Sequence, residues 1–183
     1  MIIVKIFGII VAVVVVIVVV GALLVVAGKP ASCVDRMATV SPAASQALRS
    51  KWDQFKVQAA ARPASVTFNE SEVTSRGVEF LQGQQMAVEG LQVFLCQEGY
   101  AQATGVYTGA GVGIDVLVQG TLDLSGPNPR LDFQKIQAGN LPGFLTTGRL
   151  AGILSEDAKT LRLGVKLTSI TLGDGQVTLA GAP

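Results

Sequence analysis

The run from Ile6 to Ala27, IFGIIVAVVVVIVVVGALLVVA, holds 22 residues without one charged or strongly polar side chain. At a helical rise of about 1.5 Å per residue it covers roughly 33 Å, the thickness of a bilayer's hydrocarbon core. Its Val and Ile content would suit a buried strand, but strands in small soluble domains are far shorter, and in lipid a helix satisfies its own backbone. Residues 1–28 therefore predict a single transmembrane signal-anchor helix, and the rest of the chain is displayed from a membrane. Lys5 and the α-amine precede the run, whereas Lys29 beyond it is followed by Asp35 and Arg36. The positive-inside tendency then places the N-terminus in the cytoplasm and the remainder outside it, in a periplasm or at a cell surface. Two alternatives stay open. Val25 and Ala27 fit a signal-peptidase site, although the apolar core is about twice the roughly 7 to 15 residues of a normal signal peptide. A lipoprotein reading would use Cys33, behind the poor lipobox Pro30-Ala31-Ser32.

Of 183 residues, those beyond the anchor make one domain's worth of chain. Lys and Arg number 14 against 13 Asp and Glu, so no net field draws the protein to nucleic acid or anionic headgroups. The 21 glycines among Val- and Leu-rich runs read as a sheet with turns. Cys33 and Cys96 sit where a disulfide is permitted. In the loop-entropy picture a bridge closing about 60 residues contributes about 4 kcal/mol; two unpaired thiols are the other reading.

In chain order, residues 29–40 lack apolar periodicity and read as a tether, leaving 41–183 as the extracytoplasmic domain. Ser41-Pro42 is an N-cap followed by the residue favoured at the first helical position. Leu48, Trp52, Phe55 and Ala59 then form one helical stripe that Pro63 ends. Ser65 to Phe68 reads as a strand, and Asn69 with Glu72 as a capping box opening a helix to about Leu81. Next come strand-like runs at Val88 to Cys96, Tyr100 to Tyr107, Val112 to Leu124 and Arg130 to Ala138. The short turn-rich links between them force an antiparallel meander. In the third run Val112, Ile114, Val116, Val118, Leu122 and Leu124 make a dry face, opposed by Asp115, Gln119, Thr121 and Asp123. Asn140-Leu141-Pro142-Gly143 opens a helix to about Asp157 whose Gly148 and Gly152 lie one turn apart. Leu161 to Leu172 and Gln176 to Gly181 are the final strands. Phe94 to Gly105 echoes Ile170 to Gly181: both are hairpins with an acidic-Gly turn followed by a second Gly at the same spacing.

The predicted class is α+β: the membrane helix, then a curved antiparallel meander sheet packed with two to three helices. Apolar residues change parity within two strands, at Val93, Phe94 and Leu95 and again between Leu167 and Ile170. Either a bulge shifts the register or both faces of the sheet are covered.

Little catalytic chemistry is available. The chain has no His, which removes the commonest general base, the triads built on it and the most frequent zinc ligand. Gly109 to Gly113 joins two strands instead of opening a helix, so it is a poor phosphate loop. Asp115, Asp123 and Asp132, on neighbouring strands, are the one set of carboxylates an acid/base reaction could use. The expectation is no enzyme, no cofactor and no metal. An apolar groove for an acyl chain is the binding reading, with Trp52, Phe55, Phe94, Phe144, Gly148 and Gly152 as its lining; a solid core is the plainer one.

Asn69-Glu70-Ser71-Glu72-Val73-Thr74-Ser75, the acidic-Gly hairpin ending at Gly105, Gly139-Asn140-Leu141-Pro142 and the closing Ile170 to Gly181 resemble the pattern of LmeA-like phospholipid-binding proteins of the bacterial envelope. The resemblance covers residues 64–181. It implies a half-unit of the tubular lipid-binding fold, with lipid binding outside the cytoplasm and no catalysis. The expected partners are the bilayer, a bound lipid, or other membrane subunits for which this chain is a single-pass accessory.

Overall fold

The computed structural model describes residues 28–108, 113–125, 129–139 and 164–183. The apolar run 6–27 and the expected helix carrying Phe144, Gly148 and Gly152 lie outside the described residues. Among those described, no helix is long and apolar enough to cross a membrane.

Helix α1 (Pro42–Ala61) begins where its cap predicts: the Ser41 side chain accepts from Ala44 N–H, and the helix ends at Arg62, just ahead of Pro63. Strand β1 (Ala64–Asn69) leads into helix α2 (Glu70–Gly83), whose capping box is complete. Asn69 Oδ1 accepts from Glu72 N–H at 2.9 Å, and Glu72 Oε2 accepts from Asn69 N–H at 3.0 Å. Strands β2 (Val88–Leu95), β3 (Ala101–Tyr107), β4 (Ile114–Asp123) and β5 (Arg130–Ala138) form the expected antiparallel meander in sequential order.

The single sheet expected from the sequence is divided in two. Strands β6 (Lys166–Gly173) and β7 (Gln176–Ala182) pair with β1 in a separate three-stranded sheet of order β1-β7-β6. Val66 faces Leu179 and Phe68 faces Val177 across β1 and β7, giving this sheet one apolar face. Thr67 and Thr178, whose hydroxyls lie 2.8 Å apart, belong to its exposed face.

On the apolar side the helical stripe of α1 meets the sheet. Phe55, Ala59 and Leu167 are buried, with Trp52, Val66, Ile170 and Leu179 packed around them. Gly181 is needed here, because a Cβ would stand 2.9 Å from Phe55 Cζ and 3.0 Å from the Lys166 carbonyl oxygen. Leu122 and Leu124, at the end of β4, join the same core and so tie the two sheets together.

Helix α2 lies along the free edge of β2. Thr74 Oγ1 accepts from Val93 N–H at 3.0 Å, and Glu70 Oε1 accepts from Leu95 N–H at 2.8 Å. Side chains of the helix thus satisfy edge donors that a further strand would otherwise take, which blunts the edge against pairing with another chain.

Candidate functional site

The tether expected at 29–40 is packed onto the meander. Cys33 is bonded to Cys96 with their Cα atoms 6.1 Å apart. Cys33 N–H donates to Gln102 Oε1 at 2.7 Å and Ala38 N–H to Gln92 Oε1 at 2.8 Å. Farther on, Thr39 and Ser41 N–H donate to Ser71 and Ser75 Oγ of α2. The glutamine contacts continue across the sheet, from Gln102 Nε2 to Gln119 Oε1 and from Gln119 Nε2 to Gln134 Oε1. Cross-strand partners share a face, so Gln92, Thr104, Leu117 and Gln137 stand together beneath this arm. Leu117 is fully buried there, on the side the sequence marked as wet. Alternation along β4 locates two faces but cannot show that a separate segment closes one of them.

The arm is fixed by a charged node. Arg36 Nε and Nη2 donate to the two oxygens of Glu70 at 2.8 and 2.9 Å, and Arg36 Nη1 lies 2.5 Å from Asp174 Oδ1. Glu70, only 7% exposed, therefore holds the arm and the β2 edge at once. The turn of the β6–β7 hairpin closes the node: Gly175 N–H donates to the Leu95 carbonyl and Glu70 N–H to the Gly175 carbonyl. Hydrogen bonds to Glu70, and then to Asp174, push the Arg36 guanidinium further above its already high proton affinity. The sequence carried no signal for this node beyond Glu70's place at the start of a helix.

The opposite face of the meander is apolar. Val93, Ala103, Val118 and Ile136 are cross-strand neighbours, as are Gly105, Val116 and Ala138. Val93, Ala103, Val116 and Val118 are each half-buried. Ala101, Ala103 and Gly105 place small residues of β3 along this face, and Val88 crowds Gly105, where a Cβ would stand 3.0 Å from its Cγ1. At the far end of β4 the same parity brings Leu122 and Leu124 into the core.

Of the six proposed groove residues, the three that are described do not come together. Trp52 and Phe55 meet as tilted rings 5.5 Å apart in the α1 core, and Trp52 lies 6.5 Å from Phe68. Phe94 is buried on the arm side of the meander, lining a cavity of about 260 Å³ with Arg36, Met37 and Gln92. The other three lie outside the described residues.

The strand carboxylates do not converge as a set either. Asp115 and Asp123 are eight positions apart on β4, about 26 Å at the usual rise. Asp132 stands opposite Thr121, nearer to Asp123. Asp123 is engaged in a turn, where the N–H of Ser125 and then its hydroxyl hold the carboxyl below its ordinary range. Among the described residues no group of three or more His, Cys, Asp or Glu is placed to hold a metal ion. No family model, curated protein or solved structure matches this chain.

Proposed function

We propose that this chain is a membrane-anchored, non-catalytic extracytoplasmic domain that binds the acyl part of a lipid along the apolar face of its four-stranded meander. The observation that carries this reading is the asymmetry of that sheet. One face is closed by the arm 29–40, through a disulfide and two glutamine-held amides. The other presents half-buried Val93, Ala103, Val116 and Val118 as a continuous apolar strip. Each methylene laid on such a strip contributes up to about 0.8 kcal/mol when fully removed from water. The run 6–27 supplies the anchor in this reading, and the resemblance of residues 64–181 to LmeA-like phospholipid-binding proteins points the same way.

A second reading, an accessory subunit of a membrane complex, is favoured by one observation. Around α1 the buried side chains Phe55, Ala59 and Leu167 are packed about by Trp52, Val66, Ile170 and Leu179 as a solid core would be. Mass spectrometry of the full chain after gentle extraction from its membrane separates the two. Lipid binding predicts a stoichiometric lipid that Ala103→Gln displaces while the domain stays folded. Membrane proteins copurifying without retained lipid would instead make this an accessory subunit.

A further inference from the structure

Six large apolar side chains are strongly exposed among the described residues. Met37 and Val40 lie on the arm and Val57 on α1, but Phe80, Met86 and Tyr107, exposed by 56%, 52% and 42%, belong to one end of the molecule. A chain of backbone hydrogen bonds shows this. Met86 N–H donates to the Leu81 carbonyl beside Phe80 in the last turn of α2, and Val88 N–H donates to the Met86 carbonyl. Val88 is the cross-strand partner of Tyr107, and Thr108 N–H donates to the Ala87 carbonyl.

The N-terminal arm comes in at this end. Cys33 is held at Gln102, near the start of β3. Upstream of it, Lys29 and Pro30 line a cavity that runs along the strands from Phe94 and Thr104 to Gly90, Val106 and Asp115, the last two beside Tyr107 and Ile114 at the other end of that strand pair. Four residues of extended arm cover about 13 Å, the same length as the four strand residues from Gln102 to Val106. Only Gly28 separates Lys29 from Ala27, the last residue of the apolar run. With the arm fixed by the disulfide and by Gln102, no slack linker remains between that run and this end of the domain.

We propose that the end bearing Phe80, Met86 and Tyr107 is a membrane-docking surface that sits in the headgroup region of the bilayer from which the chain emerges. Tyr107, an apolar ring with a hydroxyl tip, suits that zone, and Phe80 and Met86 add apolar surface that can enter the acyl boundary beneath it. The charges nearby are mixed: Lys29 suits anionic headgroups, Glu89 and Asp115 oppose them, and Glu79 beside Phe80 is paired with Arg49 and Arg76. The proposal rests on the anchor reading above and adds an orientation to it.

The test uses the full chain in nanodiscs of phosphatidylethanolamine and phosphatidylglycerol. A photoreactive benzoyl-phenylalanine is placed singly at Phe80, Met86, Tyr107 or, as an equally apolar and still more exposed control, Val57. After illumination, adducts are read by mass spectrometry. The expected result is about tenfold more lipid adduct at positions 80, 86 and 107 than at 57, since interfacial burial of these side chains reaches only about 5 to 10 Å into the lipid. Equal lipid adduct at all four positions, or adduct to protein alone, overturns the docking surface and leaves the anchor standing. A chain that does not enter the nanodisc overturns both.

Discussion

Glu70 satisfies three donors from two separate parts of the chain, so its removal is felt beyond its own helix. Glu70→Ala leaves the Leu95 N–H without its acceptor and Arg36 with Asp174 alone, and is expected to lower unfolding free energy by about 3 kcal/mol in denaturant titrations. Removing the exposed Lys56–Asp53 pair on α1 should cost less than about 0.5 kcal/mol in the same assay. Gly181→Ala is expected to cost about 1 to 3 kcal/mol because neither Phe55 nor the Lys166 carbonyl has room to retreat; a Phe55→Leu background should relieve part of it. The Asp123 carboxyl should titrate in NMR below the ordinary carboxylate range, and Ser125→Ala should bring it back up. Since the folded group releases its proton at lower pH than the unfolded one, the turn's contribution is present above the ordinary range. It is lost as pH falls through that range toward the depressed value.

Elements differ in how far the sequence announces them. Helix α1 was legible at both ends, because Ser41-Pro42 and Pro63 act through local backbone chemistry and the Trp52, Phe55, Ala59 stripe needs only the helical period. The apolar parity changes were legible as an ambiguity, and the structure resolves them in two different ways. In β6 a bulge between Leu167 and Ser169 lets Leu167 and Ile170 face the same core. In β2, Phe94 and Leu95 are adjacent and both buried, because the arm covers one side. The echo between the two hairpins is also partial. Gly99 and Gly175 both take positive φ, at 86° and 74°, and Gly105 and Gly181 are both closely approached. The turns differ, however, since Gly173 pairs directly with Gln176 whereas Leu95 pairs with Ala101 across a longer loop. The docked arm was signalled only by the Cys33–Cys96 pair, because its other bonds to the meander run from backbone N–H groups to glutamine side chains that in sequence look like an ordinary wet strand face. A Cys33→Ser, Cys96→Ser double variant is expected to lose about 4 kcal/mol of stability and to admit proteases between Lys29 and Val40, read by mass spectrometry of the fragments.

At the scale of the whole molecule, the sequence indicated an α+β domain with antiparallel pairing but not its division into two sheets. Local turn chemistry forces neighbours to pair, and nothing local says that β1 waits for β7. The six groove residues illustrate the same limit: an aromatic such as Phe94 is legible as buried, yet which side of the sheet it serves depends on a segment some 60 residues away. The pairing of Ala64 with Gly181 and of Asn69 with Gln176 carries a consequence for biogenesis. Contacts this distant in sequence form late and slowly, since the loop between them must be closed first. If the domain is exported as proposed, with the chain's N-terminus held back and β1 entering ahead of the later strands, it cannot complete its smaller sheet, or seat Phe55 against Gly181, until the last strand has also crossed. On that reading its meander assembles earlier, the domain passes through a folded half with β1 unpaired, and a chaperone on the far side would find its footing on that strand.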